Sequence, residues 1–196
     1  MKIVVDAMGG DKAPEEIVDG VVQALNDFKD VEIALVGIED RVNQELAKYQ
    51  YPKDRLELIH APEVAEMDDP ATVTLRKKRN SSISVGVNLL KDPNYHAFIS
   101  AGNTGAVVAA ATVFLGMLEG VERPAIGTFL PTLKGFSFML DVGANTTPKP
   151  QHLVQSALMA HVYARDVLGI AKPTVGLLNI GEEETKGTDF VKEIHQ

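Results

Sequence analysis

Between residues 2 and 60 the chain alternates between short β-branched runs and stretches of helical period, and this rhythm narrows the possible folds more than any other feature. Residues 2–7 (KIVVDA) run into Met8-Gly9-Gly10, the pattern of a buried strand followed by a loop. Pro14 then stands where a first helical residue belongs, and Glu15 and Glu16 follow in the turn where the helix dipole favours negative charge. Ile17, Val18, Val21, Val22, Leu25 and Phe28 recur at helical spacing. A strand over 31–36, a polar helix over 39–49 and a strand over 56–60 complete the series. This βαβαβ succession predicts a parallel sheet with right-handed crossovers.

Residues 61–80 break the rhythm. Pro62, Asp68, Asp69, Pro70 and the run Arg76-Lys77-Lys78-Arg79 predict a long, irregular, charged connection, and loops of that length in compact domains are usually functional. Ser81 or Ser82 caps a helix running to Leu90. A strand over 95–100 leads through Ala101-Gly102-Asn103-Thr104-Gly105 into an apolar helix ending at Leu118. The runs 124–130 and 136–142 are separated by only Pro131 to Gly135, too short for a parallel crossover, so they form an antiparallel hairpin and the sheet is mixed. A helix over 150–168, a strand over 174–180 and a helix from near Thr185 follow. The last helix reaches Ile194-His195-Gln196 without a glycine stop. With an incomplete sheet, this makes residues 1–196 a single α/β domain read as the N-terminal portion of a longer chain.

Charge and composition remove several functions. Nineteen basic residues against twenty-seven acidic ones give a net charge of −8, which disfavours nucleic acid as a partner. The absence of cysteine excludes disulfides, thiolate metal sites and a cysteine nucleophile, and suits a reducing cytoplasm. The N-terminus lacks the apolar stretch of a signal peptide, and the most apolar segment, 106–118, is too short to span a bilayer. No metal is expected: His152 and His161 are nine residues apart, on opposite faces of one helix. His60 and His96 fall at strand positions and read as packing residues. No GxGxxG, GxxxxGK[ST] or GxSxG pattern occurs.

In open α/β sheets the site lies beyond the carboxyl ends of the strands. Four polar clusters follow expected strands there: Asp6 with Gly9-Gly10-Asp11, residues 100–105, Asp141 with Gly143-Ala144-Asn145, and Asn179 with Gly181-Glu182. The turn Ser100-Ala101-Gly102-Asn103-Thr104-Gly105 has the clearest chemistry. Backbone N–H groups at a helix start, aided by the dipole, hold an anion, and Asn103 and Thr104 add side-chain donors. Thr104 as a plain N-cap is the alternative, and both can hold. Gly9 and Gly10 allow close backbone approach to a ligand. Asp141 either orients a catalytic group or caps its own turn. The basic run either neutralises an anion or docks an acidic protein, or is a solvated face. If helical, its four residues cannot all face one way, so Arg76 and Lys77 point into the site while Lys78 and Arg79 face water.

These motifs, in this order, resemble the PlsX family of bacterial acyl-carrier-protein:phosphate acyltransferases. The resemblance rests on Asp6 to Asp11 with Ala13-Pro14, Met67 to Pro70, Leu75 to Lys78, Ser81-Ser82, Ile99 to Ala106, Arg123-Pro124-Ala125, Asp141 to Asn145, and Gly176 to Glu183 with Lys186-Gly187. It implies transfer of a fatty acyl group from acyl carrier protein to inorganic phosphate, giving acyl phosphate for phospholipid synthesis, without a cofactor. It also implies a three-layer α/β/α fold with a mixed, mainly parallel sheet, like that of isocitrate dehydrogenase and the phosphotransacetylases. A homodimer in the cytoplasm, with any membrane-contacting surface in the part beyond residue 196, is implied as well. Phosphate is itself a competent nucleophile, so the protein must supply a cradle, a held thioester and oxyanion donors. The expected catalytic residues are Asn103, Asp141, Asn145 and Lys186. The expected substrate-binding residues are Asp6, Gly9, Gly10, Arg76, Lys77, Ser82, Ser100, Gly102, Thr104 and Gly105. A short-chain phosphotransacetylase using coenzyme A, or a non-catalytic interaction module, are the rival readings.

Overall fold

The computed structural model describes residues 1–196 apart from 182, 184 and 185, and the side chains of these apart from 72 and 73. The chain divides into two compact units, Met1–Gly116 and Met117–Gln196.

The first unit is a parallel sheet between two helical layers. Strands β1 (Lys2–Asp6), β2 (Glu32–Gly37), β3 (Leu56–His60) and β4 (Ala97–Ile99) lie in the order β3-β2-β1-β4, all parallel. The period of two in a strand divides their side chains cleanly. Val5, Ile33 and Leu35 pack with Val18, Val21, Val22 and Leu25 of α1 (Glu15–Asp27) and with Val42 and Leu46 of α2 (Glu39–Leu46). Val4, Ala34 and Val36 face the other way, against Val85 and Leu89 of α4 (Ser82–Leu89). Ile83 and Val87 of α4 in turn meet Ala106 and Ala110 of α5 (Thr104–Phe114). Strands covered on both faces read as continuous apolar runs, which is why β1 and β2 show so little polar alternation.

The long connection is more regular than its composition suggests. It contains the seven-residue helix α3 (Ala71–Lys77), entered through Pro70, which cannot continue a helix backwards but leads one in. The buried Thr74 fixes its inner face. Helix α5 stops at Phe114, short of Leu118, because Gly116 takes a positive φ of 81° and turns the chain out of the helix. His60 and His96 are exposed rather than packed. They sit on or beside the two edge strands, and their Nδ1 atoms accept the N–H groups of Glu39 and Lys2 at 3.3 and 3.2 Å.

In the second unit, β5 (Gly127–Thr132) and β6 (Gly135–Leu140) form the antiparallel hairpin that the short connection requires. Thr132 pairs with Gly135, so the turn is two residues long and Pro131 lies within the ladder. Both strands of a two-stranded sheet are edges, where proline is tolerated. Among the described residues the hairpin is a two-stranded sheet of its own. Phe138 stacks at 4.8 Å on Tyr163 of α6 (Pro150–Asp166), which fastens the hairpin to that helix. The strand expected over 174–180 does not form. Val175, Leu178 and Ile180 are 58%, 78% and 86% exposed, and a β-branched run becomes a strand only where an edge is there to pair it. The start of the last helix expected near Thr185 lies outside the described residues; α7 (Asp189–His195) is capped by Thr188.

Candidate functional site

Strand order places the site. From β1 the chain moves outward through β2 to β3, then returns to lay β4 on the other side of β1. The loop after β1 leads to α1 on one face, and the loop after β4 leads to α5 on the other, which opens a crevice at their carboxyl ends.

Val5 pairs with Ile99, so the next residues, Asp6 and Ser100, fall side by side. The Asp6 carboxylate, only 1% exposed, accepts the Ser100 hydroxyl at 2.7 Å and the Met8 N–H at 3.0 Å. Ser100 Oγ accepts the Gly102 N–H at 3.0 Å. The two loops then touch through their backbones. A Cβ at Gly9 would lie 2.6 Å from both Asp6 Oδ2 and Gly102 N, and one at Gly102 would lie 3.1 Å from Gly9 Cα. A side chain at Gly9 would force the loops apart, and one at Gly102 would need its neighbours to give by a few tenths of an ångström. Beside the contact is a shallow depression of about 260 Å³, lined by Gly9, Gly10, Lys12, Glu16 and Ala101. The larger hollow, about 430 Å³ around Lys2, Glu57 and Tyr95, lies at the amino ends of the strands and meets none of these groups.

Helix α5 begins at this contact. Its N-cap is Asn103, not Thr104: Asn103 Oδ1 accepts the Ala106 N–H at 2.9 Å. Among the described residues no acceptor meets the N–H groups of Thr104 and Gly105, which stand at the positive end of an eleven-residue helix. Asn103 itself is not a free donor. Its amide nitrogen reaches the carbonyls of Glu66, Met67 and Asp69 at 3.0, 3.2 and 2.9 Å.

The basic run divides differently from the sequence-based expectation. Arg76 and Lys77 are exposed in the last turn of α3, and Arg79 is exposed beyond it. Lys78 does not face water alone: it is half-buried and pairs with Asp69 at 2.5 Å. That ammonium, with the Glu66 N–H, holds the Asp69 carboxyl below its ordinary range. Ser81, not Ser82, caps α4, accepting the Ser84 N–H. Ser82 is buried, and its own N–H donates to the Glu63 carbonyl.

In the second unit, Asp141 follows β6 and is the centre of its own turn. Oδ1 accepts the N–H groups of Ile126 and Ala144 at 2.9 and 3.1 Å, and Oδ2 accepts the Asn145 N–H at 2.7 Å. Burial pushes this carboxyl up, but the three backbone donors and the Asn145 amide together outweigh it and leave the group below its ordinary value. Asn145 Nδ2 donates to the Pro124 carbonyl at 2.8 Å and to Asp141 at 3.1 Å, so both its hydrogens are engaged and its amide is not the free oxyanion donor expected of it. Lys186 lies in the tract after Asn179, its N–H on the Glu183 carbonyl at 2.8 Å. Glu182 of that cluster is outside the described residues, and the cluster follows no strand.

The structure therefore gathers Asp6, Gly9, Gly10, Ser100 and Gly102 at one contact, with Asn103, Thr104 and Gly105 continuing from it. Arg76 and Lys77 are linked to that contact through Asn103 and the 66–70 loop and through the packing of α3 on α5, where Leu75 packs against the cluster of Ala106 and Ala110. A polar cluster not foreseen from the sequence occurs in the second unit. The Gln151 amide reaches both carboxylate oxygens of Glu122 at 2.6 and 2.7 Å, and His152 Nε2 lies 3.2 Å from one of them. His152 Nδ1 accepts the Lys149 N–H, which assigns the proton to Nε2. The hint was Pro150 opening a helix with His at its third position. Among the described residues no group of three His, Asp or Glu side chains is placed to hold a metal, and no helix is long and apolar enough to cross a membrane.

The fold is shared with two phosphotransacetylases. The EutD phosphotransacetylase of Staphylococcus aureus superposes with a TM-score of 0.64 at 22% identity, covering 98% of this chain and 62% of that one. A phosphotransacetylase of Streptococcus pyogenes gives 0.63 at 21% identity, covering 87% and 55%. Closer in sequence are proteins named phosphate acyltransferase. That of Halothermothrix orenii is 49% identical over 192 residues, 98% of this chain and 58% of its own length. That of Clostridium botulinum is 44% identical over 196 residues, 100% and 59%. The chain thus spans a little under three-fifths of the curated relatives it matches. The family described as fatty acid synthesis protein matches residues 1–196, and the chain belongs to that family.

Proposed function

We propose that the protein to which this chain belongs transfers a fatty acyl group from acyl carrier protein to inorganic phosphate, releasing acyl phosphate for phospholipid synthesis. The observation that carries the reading is the start of α5. Two N–H groups, at Thr104 and Gly105, that meet no acceptor among the described residues stand at the positive end of a helix in the crevice where the β1 and β4 loops meet. Such a group of donors suits a phosphate. The Asp6–Ser100–Gly102 chain of hydrogen bonds fixes the turn before any ligand arrives.

In this reading a phosphate oxygen attacks the thioester carbonyl carbon. The new C–O bond forms, the C–S bond breaks, and the departing thiolate takes the proton of hydrogen phosphate. No covalent intermediate with the protein is needed, so the chain's task is to hold phosphate within near-attack distance and to neutralise charge. Thr104 and Gly105 hold it. Arg76 and Lys77 supply positive charge, and in the second unit Asp141 and Asn145 set the shape of the 141–145 turn. Acyl carrier protein as donor, a homodimer, a place in the cytoplasm and contact of the complete protein with the inner membrane face follow from the family resemblance and belong to the same proposal.

The test uses the complete protein and its Gly102→Ala variant. Phosphate binding is read by calorimetry, and turnover is compared with acyl groups presented on acyl carrier protein and on coenzyme A. A Cβ at Gly102 would stand 3.2 Å from Ser100 Oγ, so the variant should lose phosphate affinity by about tenfold or more, equivalent to about 1.4 kcal/mol. Unchanged phosphate affinity would remove the turn from the site, and preference for the coenzyme A thioester would overturn the choice of donor.

A further inference from the structure

Asn103 carries two separable functions on one amide. Its oxygen caps α5 through the Ala106 N–H. Its nitrogen binds the carbonyls of Glu66, Met67 and Asp69, all within 3.2 Å. The side chain is 7% exposed, so these bonds are shielded from competing water.

The segment it binds has little else to hold it. Met67 is 58% exposed, Glu66 and Asp68 are exposed, and the nearest buried apolar side chain is Ala65. Among the described residues its other ties belong to Asp69, whose carboxylate accepts the Glu66 N–H at 2.9 Å and pairs with Lys78 at 2.5 Å and whose N–H donates to the Glu66 carbonyl at 3.2 Å. Pro70 ends the segment and α3 follows, bearing Arg76 and Lys77. Three carbonyl dipoles converge on Asn103 Nδ2. Without that amide the Met67 and Asp69 carbonyls would lose their partner, while the Glu66 carbonyl would keep only the Asp69 N–H at 3.2 Å.

We infer that Asn103 is a positioning residue, a latch that ties the loop leading into the basic helix α3 to the turn that starts α5, so that the positive charge of α3 is held ready for the anion in that turn. This deepens the phosphate reading of the turn and rests on it.

Chemistry separates the latch from the cap. Serine is as good an N-cap as asparagine but has no amide to reach three carbonyls. In the complete protein, Asn103→Ser should keep its melting midpoint within a few degrees of wild type. Amides of residues 64–70 should exchange about tenfold faster without phosphate, since the two amide hydrogens shared among the three carbonyls are lost, together about 1.4 kcal/mol. KM for phosphate should rise several-fold while kcat stays within about twofold, because the charge of α3 is displaced rather than any reacting group. Asn103→Ala should show these changes and also lose thermal stability through the cap.

Lys78→Met frees the same loop from its other end and should raise the phosphate KM in the same direction, which keeps the test open if Asn103→Ser does not fold. Wild-type exchange at 64–70 in Asn103→Ser would show that no latch exists. Fast exchange with an unchanged phosphate KM would overturn the coupling. Phosphate failing to protect residues 100–105 in the wild type would overturn the reading of the turn itself, and that measurement is independent of the variants.

Discussion

At the scale of single residues, the polar groups that matter most to this structure bind backbone. Arg55 is the clearest case. Helix α1 has no basic residue in its last turn, and its C-terminal carbonyls are met from outside by the Arg55 guanidinium, which donates to Leu25, Phe28 and Val31. A planar fork of five donors reaches several carbonyls at once and also answers the negative end of the helix dipole. Arg55→Ala should therefore cost about 1–2 kcal/mol, allowing for its partial exposure, and shift the denaturant midpoint without changing its slope. Arg55→Lys should recover only part of the loss, because an ammonium is a point charge. Phosphate affinity should be untouched, since Arg55 contacts none of the turn residues. A loss of phosphate affinity in Arg55→Ala, with stability unchanged, would contradict this account of the residue.

At the scale of elements, turns are built around carboxylates, and this gives the second unit an acid-sensitive point. Asp141 gathers the N–H groups of Ile126, Ala144 and Asn145 and titrates below its ordinary 3.8. A carboxyl whose folded value is depressed adds stability above its unfolded value, and that stability is lost as pH falls through the folded one. The melting temperature should thus decline below about pH 4. Asp141→Asn should lower the neutral-pH value and flatten the decline; a variant with the full acid slope would show that other carboxyls carry it. Much of this was legible in the sequence. The apolar runs of β1 and β2, the stripe of α1 and the short hairpin connection set those elements by period and length alone, and glycine-bearing strand ends marked the site. What the sequence did not disclose depends on partners distant in the chain. Asn103 and Asn145 read as free donors because the carbonyls they bind lie more than twenty residues away. Residues 174–180 have the composition of a strand, but among the described residues no strand pairs with them. Helix α3 was hidden by the charges around it, although Pro70 stood at its start.

For the whole molecule the decisive quantity is charge. Twenty-seven acidic and nineteen basic residues give −8, so at long range the chain repels both phosphate and any acidic protein. Screening confines this repulsion to about 10 Å at 0.1 M salt, and within that distance a local cation can reverse it. Of the four residues 76–79, Lys78 is already neutralised by Asp69, while Arg76, Lys77 and Arg79 are exposed and no carboxylate pairs with them among the described residues. Arg76 and Lys77 belong to α3 itself, whereas Arg79 lies beyond the helix end. In the complete protein, Arg76→Ala and Lys77→Ala should each raise an apparent KM by about two- to fivefold, the weight of one exposed charge pair. Which KM rises identifies the anion. If it is that for acyl carrier protein, added salt should mimic the substitutions, because the encounter is between extended charged surfaces. If it is that for phosphate, salt should matter less. Arg79→Ala should have a smaller effect on either. Lys78→Ala should act by loosening the Asp69 loop, and its effect should persist at high salt, where exposed charges no longer count. If all four variants keep both constants and the same salt dependence, the run is a solvated helix end, and the anion must be met by the N–H groups of Thr104 and Gly105 without help from α3.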